Sequence, residues 1–263
     1  MLKADNLLAG KRVIITAGGS GIGAAMAKTF SAVGAKVAIC DLDDSRFEAL
    51  IDQRHVLAAT KADVSDIRGI TAFVEGAAAR LGGLDILVNN AGIAGPNGHV
   101  EDLDPEEWDK TITVDLSSAF YCSRAAIPFL KQQVTGSIVN IASSAAFFGY
   151  PLRSPYAAAK WGLIGLTKTM AMELGPHQIR VNAICPGSVS GDRIDRVMAG
   201  EAKSRGITIG QVKESYTRHT SLKTFVEKED VANMALFLVS ELGAKISGQV
   251  LGVDGHTEAL TQY

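Results

Sequence analysis

The sequence predicts an α/β protein with a doubly wound parallel sheet in a three-layer α/β/α sandwich. Short, almost continuously apolar runs alternate with longer segments of helical periodicity, as expected for strands that helices cover on both faces. The 263 residues are 47% hydrophobic and include 27 glycines, enough for a large core with many tight turns. Because neither repeats nor low-complexity segments divide the chain, we expect residues 1–263 to form a single domain.

Seven runs are predicted as strands. They are residues 12–16, 36–40, 55–60, 84–89, 136–142, 179–184 and 249–255. The helical segments between them are residues 21–34, 66–82, 105–132, 155–175 and 228–241. Such sheets bind ligands beyond the carboxyl ends of their strands, so we expect the functional site there. The segment 188–226 is longer than an ordinary connection, and we expect it to form a substrate-binding insertion.

The bulk composition argues against several classes of function. The net charge is −2, so no basic surface for nucleic acid is indicated. The N-terminus lacks the apolar core of a signal peptide, and no apolar run reaches the length of a membrane span, so we expect a cytoplasmic protein without membrane partners. Cys40, Cys122 and Cys185 are widely spaced among apolar residues, which indicates buried thiols and no metal site.

A glycine-rich segment, TAGGSGIG at residues 16–23, connects the first predicted strand to the first helix. Glycines allow the backbone to approach a pyrophosphate, and the helix N-terminus offers free N–H groups. Asp41 ends the second strand, where a carboxylate accepts hydrogen bonds from an adenosine ribose. The same carboxylate repels a 2′-phosphate, and no arginine directly follows it. These observations predict a Rossmann-type fold that binds NAD in preference to NADP.

A tyrosine and a lysine lie one helical turn apart in the segment SPYAAAKWG, residues 154–162. Oxidation of an alcohol requires removal of its hydroxyl proton while hydride leaves the carbon. A free phenol has a pKa of about 10 and ionises too little at neutral pH to act well as a base. The ammonium of Lys160 and a positive nicotinamide ring would both favour the phenolate form of Tyr156. Alone, however, such a pair is common on any helix.

These motifs occur together in the order and spacing of the short-chain dehydrogenase/reductase family, which the sequence resembles from residue 10 to about residue 255. The resemblance is to the shorter, single-domain branch, and it is carried by TAGGSGIG (16–23), NNAG (89–92), Ser143, YAAAK (156–160) and Pro186–Gly187. It implies that Tyr156 is the catalytic base or acid and that Lys160 also binds the nicotinamide ribose. It implies further that Ser143 holds the substrate oxygen, with the adjacent Ser144 as an alternative.

The resemblance also implies contacts with cofactor and substrate. The cofactor-binding residues would be Gly18, Ser20, Gly21, Ile22, Asp41, Leu42, Asp63, Val64, Asn90, Ala91, Gly92, Tyr156, Lys160, Pro186, Gly187 and Val189. The substrate-binding residues would be Ser143, Ala145, Arg153, Tyr156, Ser188 and Arg193. The arginines either grip an anionic group of the substrate or are solvated surface charges. A homotetramer, built as a dimer of dimers through the helices at 105–132 and 155–175, is a further expectation.

Three positions depart from the usual pattern of the family. Ala17 replaces the first glycine of the loop, and we expect its methyl group to be tolerated if φ is negative. Asp115 replaces an asparagine that is counted as a fourth catalytic residue, and it is either a tolerated variant or acts through its charge. His256 replaces a glycine near the C-terminus, and it is either structural or close to the substrate.

We therefore expect an NAD-dependent oxidoreductase that interconverts a secondary alcohol and a ketone, with Tyr156 as general base or acid. Its substrate would be a small polar alcohol such as a sugar, a polyol, a hydroxy acid or a cyclic alcohol. One alternative is a reductase of carrier-bound 3-oxoacyl chains, which usually goes with NADPH, so that Asp41 argues against it. Another is a catalytically silent NAD-binding protein, against which the intact set of Ser143, Tyr156 and Lys160 argues.

Overall fold

The computed structural model describes residues 6–260, except for the side chains of Arg193 and Ser204. Its strands are β1 (Arg12–Thr16), β2 (Lys36–Asp41), β3 (Ala58–Lys61), β4 (Ile86–Asn89), β5 (Gly136–Ile141), β6 (Ile179–Pro186) and β7 (Val250–Val253). They form one parallel sheet in the order β3-β2-β1-β4-β5-β6-β7. The direction of winding reverses between β1 and β4, which opens a crevice beyond their carboxyl ends. The predicted doubly wound sheet is confirmed.

Helices cover both faces of this sheet. They are α1 (Gly21–Ala32), α2 (Phe47–Asp52), α3 (Ile67–Leu81), α4 (Pro105–Ile112), α5 (Ser118–Leu130), α6 (Ser154–Leu174), α7 (Asp192–Arg205), α8 (Ile209–Arg218) and α9 (Lys228–Val239). Side chains alternate between the faces of a strand, so Val13 and Ile15 join the core under α1 and α9, whereas Ile14 joins the core under α3, α5 and α6. Burial on both sides explains why the strands are apolar throughout.

The long helix predicted at 105–132 is interrupted. One π-helical turn, Thr113–Ser117, separates α4 from α5 and contains Asp115. A π turn adds one residue to the helix and often marks a functional site. Because hydrophobic periodicity is averaged over several turns, it does not reveal a single added residue.

The segment at 188–226 is mostly helical and is not an irregular loop. Its helices α7 and α8 share a small apolar cluster that includes Met198, Ala202 and Val212. A reciprocal cap starts α8, in which the Thr208 hydroxyl accepts the N–H of Gln211 at 3.2 Å and the Gln211 carbonyl accepts the N–H of Thr208 at 2.9 Å. The segment therefore has its own packed structure and can form a firm wall beside the crevice.

Arg12 and Asp85 connect β1 to the start of β4 at the end of the sheet that lies away from the crevice. Asp85 Oδ2 accepts hydrogen bonds from Nε and the backbone N–H of Arg12 at 2.7 and 2.9 Å, and Oδ1 accepts one from Nη2 at 2.9 Å. The guanidinium also donates to the carbonyl of Gly82 and to Oε1 of Gln133. Burial raises the pKa of Asp85, but the hydrogen bonds and charge of Arg12 outweigh this effect and lower the pKa below its usual value.

We expect Asp85→Asn to lower the free energy of unfolding at neutral pH by roughly 1–3 kcal/mol, because an amide cannot accept all three charge-assisted hydrogen bonds. A depressed carboxyl pKa adds stability above the unfolded-state value of about 3.9, and this stability is lost as pH falls through the lower folded-state value. Urea unfolding should therefore show a smaller acid-induced loss of stability in the variant. Asp44→Asn, which affects an exposed pair with Lys61, is the control and should change stability by less than about 1 kcal/mol. Equal stability of Asp85→Asn and wild type at neutral pH would contradict this prediction.

Candidate active site

A cavity of about 740 Å³ lies beyond the carboxyl ends of the strands. Its walls come from the loops that follow β1 to β6, from α7 and α8, and from the chain near residue 260. The residues predicted for cofactor and substrate that line it are Ser20, Gly21, Ile22, Asp41, Leu42, Val64, Asn90, Ala91, Gly92, Ser143, Arg153, Tyr156, Lys160, Pro186, Gly187, Ser188 and Val189. Motifs that are far apart in the sequence thus meet around one cavity.

Four predicted residues are not part of its walls, namely Gly18, Asp63, Asp115 and Ala145, and the side chain of Arg193 lies outside the described residues. Gly18 lies beneath the glycine-rich loop, where a Cβ atom would be 2.5 Å from a side-chain carbon of Ile39. The Asp63 carboxylate accepts the backbone N–H and the hydroxyl of Ser65 at 2.8 and 2.7 Å, and so stabilises the turn after β3. Ala145 is fully buried.

The loop between β1 and α1 presents backbone N–H groups at the cavity. Helix α1 begins at Gly21, and its N-cap Ser20 makes no side-chain cap, so the N–H groups of the first turn remain available for an anion. At the end of β2, Asp41 Oδ2 accepts the N–H of Gly19 at 2.9 Å and Oδ1 accepts the N–H of Asp43 at 3.2 Å. An uncapped helix N-terminus beside a fixed carboxylate fits the diphosphate and the adenosine ribose of a dinucleotide.

The condition set for Ala17, a negative φ, is not met, because this residue has φ +49°. A Cβ atom in the left-handed region costs about 1–2 kcal/mol. Asn90, which follows β4, holds the backbone there, since its Nδ2 donates to the carbonyls of Thr16 and Ala17, both at 3.0 Å. The methyl group is therefore accommodated in a strained turn that a neighbouring strand fixes.

Ser143 and Ser144 differ in their access to the cavity. The Ser143 hydroxyl caps a short 3₁₀ turn by accepting the N–H of Ala145 at 3.2 Å, and the residue is partly exposed. Ser144 is only 5% exposed. This difference favours Ser143 as the serine that meets a substrate.

The ring of Tyr156 lies between two cations at the start of α6. Lys160 Nζ is 5.5 Å from the ring centre, and the guanidinium carbon of Arg153 is 5.3 Å from it. These residues and Ser143 all line the cavity. A phenol between positive charges, beside a hydroxyl that can hold a second oxygen, is suited to proton transfer with an alcohol.

Comparison with known proteins agrees with this geometry. A family model described as enoyl-(acyl carrier protein) reductase matches residues 16–256. The chain belongs to the short-chain dehydrogenase/reductase family. It is 38% identical to a trans-4-hydroxycyclohexanecarboxylate dehydrogenase from Sinomonas cyclohexanicum, over 97% of this chain and 95% of that protein. It is 37% identical to a D-beta-hydroxybutyrate dehydrogenase from Rhizobium meliloti (strain 1021), over 93% of this chain and 97% of that protein.

The solved structure of a levodione reductase is similar, with a TM-score of 0.88 and 31% identity, and the match covers 94% of this chain and 97% of the other. This chain is accordingly an oxidoreductase that acts on a CH–OH group and interconverts an alcohol and a ketone. The predictions of family and reaction class are confirmed. Within residues 6–260, no helix has the length and apolar character to cross a membrane.

Lys160 of this dehydrogenase/reductase is buried and paired with Asp115. Its Nζ lies 3.3 Å from Oδ2 of Asp115, with side chains that are 4% and 0% exposed, and 3.4 Å from the carbonyl of Ile141. Oδ1 of Asp115 accepts the N–H of Ile93 at 2.7 Å. Oδ2 of Asp115 lies at ion-pair distance from the ammonium of Lys160, but the geometry is not that of a hydrogen bond. None of the described residues donates a hydrogen bond to this oxygen. The carboxylate compensates a buried charge, which an amide at this position would not do.

Several wall residues were not predicted from the sequence. Ile93 and Ala94 follow the NNAG motif, and Tyr216 and His219 lie in the segment 188–226. For Tyr216 and His219, the only signal in the sequence was the unusual length of the segment 188–226. His256 does not line the cavity. Its Nδ1 lies 2.6 Å from Oγ of Ser221 in an exposed turn.

We expect Asp115→Asn to lower the free energy of unfolding by roughly 1–3 kcal/mol in the absence of cofactor. In one orientation the NH₂ group of the new asparagine would face the ammonium of Lys160, and in the other it would face the N–H of Ile93. In both orientations one hydrogen-bond donor faces another, so a contact that the carboxylate makes is lost. Urea unfolding measures the difference. Asp109→Asn, at an exposed position of α4, is the control and should change stability by less than about 0.5 kcal/mol. Wild-type stability of Asp115→Asn would show that the aspartate is merely a tolerated variant.

Proposed function

We propose that this protein is an NAD-dependent dehydrogenase/reductase in which Tyr156 exchanges the proton of a small polar secondary alcohol. The observation that carries the proposal is that Ser143, Tyr156 and Lys160 line the cavity that the uncapped N-terminus of α1 also borders. A nucleotide and a reacting alcohol can therefore occupy the same cavity.

The chain's own residues would handle the proton. When bound, the nicotinamide ring supplies the acceptor for the hydride of the carbinol carbon. In the oxidation direction, the phenolate oxygen of Tyr156 accepts the hydroxyl proton, and the nearby ammonium of Lys160 stabilises the phenolate. The Ser143 hydroxyl donates a hydrogen bond to the substrate oxygen and holds it beside the phenol. In the reduction direction, Tyr156 returns the proton.

Asp115 acts in this proposal as a positioning residue. Its ion pair with Lys160 and its hydrogen bond from Ile93 fix the ammonium close to the ring of Tyr156. Oδ2, which has no directed donor, retains the capacity to accept a hydrogen bond from a hydroxyl or a water on the path of the proton.

The position of Asp41 supports NAD as the cofactor. Two backbone N–H groups fix its carboxylate at the end of β2, where a 2′-phosphate would meet a negative charge. Asp43 lines the cavity close by and adds to this charge. Arg46 also lines the cavity. If the protein used NADP instead, this arginine would have to bind the 2′-phosphate.

The names of the relatives narrow the substrate class. Two are named as dehydrogenases of hydroxy acids and one structure as a levodione reductase, which supports a hydroxy acid or a ring alcohol as the substrate. Exposed apolar side chains on α5 and α6, namely Phe120, Trp161 and Met172, support the predicted homotetramer.

We expect the wild type to prefer NAD over NADP, and Asp41→Ala to reduce this preference by about tenfold, because the variant removes a charge that repels the 2′-phosphate. Titration of the two reduced cofactors by fluorescence measures the preference without turnover. Asp44→Ala, a nearby exposed aspartate, is the control and should retain most of it. Tighter binding of NADP than of NAD by the wild type would contradict the cofactor assignment.

We expect Tyr156→Phe to lower kcat by about 10²- to 10⁴-fold while NAD still binds, because the variant loses only the group that exchanges the proton. Initial rates of NADH formation with a panel of hydroxy acids and ring alcohols measure the effect. Tyr121→Phe, in α5, provides a matched control outside the cavity and should retain activity. Equal rates for Tyr156→Phe and wild type would remove the tyrosine from the mechanism. Tight NAD binding by a wild type that oxidises no alcohol would favour the catalytically silent alternative.

A further inference from the structure

We propose that the cavity contains a subsite for the carboxylate of a hydroxy acid, formed by the buried guanidinium of Arg153. The inference rests on the proposed function, because it names the class of alcohol that Tyr156 would deprotonate. The sequence leaves two interpretations of this arginine open, an anion-binding residue or a solvated surface charge, and the proposal adopts the first.

Arg153 is a buried cation to which the described residues supply no counterion. The residue is only 6% exposed although it lines the cavity. One Nη2 hydrogen bond goes to the carbonyl of Ala94 at 2.5 Å, and the Nε–H group has no acceptor. None of the ion pairs among the described residues includes Arg153. A buried charge of this kind is costly unless an anion pairs with it, and an anionic ligand in the cavity would supply that partner.

Two tyrosines fix the orientation of the guanidinium. Its central carbon lies 5.3 Å from the ring centre of Tyr150 and 5.3 Å from that of Tyr156. Contacts of this type hold a cation against aromatic rings and leave the N–H groups at the edge of the guanidinium for hydrogen bonds. Such an edge matches the two oxygens of a planar carboxylate.

Glu201, a buried acidic residue of α7, already has two hydrogen-bond partners. Tyr216 donates a hydrogen bond to Oε2 of Glu201 at 3.1 Å, and Oε1 of Glu201 accepts one from Arg205 at 2.6 Å. Tyr216 also interacts with Tyr150, whose ring centre lies 5.3 Å from the guanidinium carbon of Arg153. Burial raises the pKa of both tyrosines, so they remain neutral phenols at neutral pH. None of the ion pairs in the described part of α7 and α8 includes Arg153.

The position of Arg153 restricts the length of the substrate. It lies three residues before Tyr156 at the start of α6, both residues line the cavity, and its guanidinium carbon is 5.3 Å from the ring centre of Tyr156. A carboxylate on Arg153 and a hydroxyl at Tyr156 must therefore be separated by a short spacer or lie on one small ring. A neutral sugar or polyol would leave the guanidinium buried and unpaired, which provides discrimination against such substrates.

Binding without turnover tests the subsite directly. Isothermal titration of the NADH complex with cyclohexanecarboxylate and with cyclohexanecarboxamide compares a charged ligand with a neutral one of the same shape. We expect the wild type to bind the carboxylate about 10- to 100-fold more tightly, and Arg153→Met to lose this preference. Arg196→Met removes an exposed arginine from the same cavity and should keep the preference. Equal binding of both ligands by the wild type, or an unchanged preference in Arg153→Met, would overturn the proposal.

Kinetics give a second readout that separates this proposal from the proposed function. The ratio of kcat/KM for 3-hydroxybutanoate to that for 3-hydroxybutanamide should fall about 10- to 100-fold in Arg153→Met. If that variant does not fold, Arg153→Lys, which keeps the charge but loses the planar fork, should lower the ratio by a smaller factor. Carboxylate binding without oxidation of any alcohol would refute the proposed function alone. If the wild type oxidises neutral alcohols and a carboxylate on the substrate does not raise kcat/KM, the subsite alone would be refuted.

Discussion

The ion pair between Lys160 and Asp115 is the interaction on which the rest of the site depends. An ammonium in the interior of a sheet protein is costly, and here a carboxylate 3.3 Å away and the carbonyl of Ile141 at 3.4 Å compensate it. The π turn between α4 and α5 carries Asp115, and β5 carries Ile141. Two neighbouring elements of the fold thus hold the lysine beside the ring of Tyr156.

The two cations beside Tyr156 differ in one respect that separates their roles. Lys160 has a counterion within the protein, so its charge is present and fixed before any ligand binds. Arg153 has none among the described residues, although its guanidinium carbon lies 5.3 Å from the ring centres of two tyrosines. A satisfied cation can stabilise a phenolate without leaving its place, whereas an unsatisfied one gains most from an anionic ligand. On this account the lysine serves the proton transfer and the arginine selects the substrate.

Features that recur along the chain could be predicted, and features that depend on single contacts could not. The alternation of strands and helices determines the sheet, and the glycine-rich loop, Asp41 and the Tyr156–Lys160 spacing indicate the site. The φ of +49° at Ala17 is imposed by Asn90, 73 residues away in sequence, and the π turn adds a residue that periodicity averages out. The lack of a counterion for Arg153 among the described residues was equally hidden, because it depends on which side chains the fold brings together.

The fate of the hydrogen on the carbinol carbon tests the central claim most directly. Hydroxy acids and ring alcohols that carry deuterium on that carbon would be incubated with the protein and NAD, and the reduced cofactor would be analysed by mass spectrometry. The account predicts that one deuterium is transferred to the nicotinamide ring by the wild type and that Tyr156→Phe forms almost no labelled product. Reduced cofactor without deuterium, or no reduced cofactor from any alcohol of the panel, would contradict it.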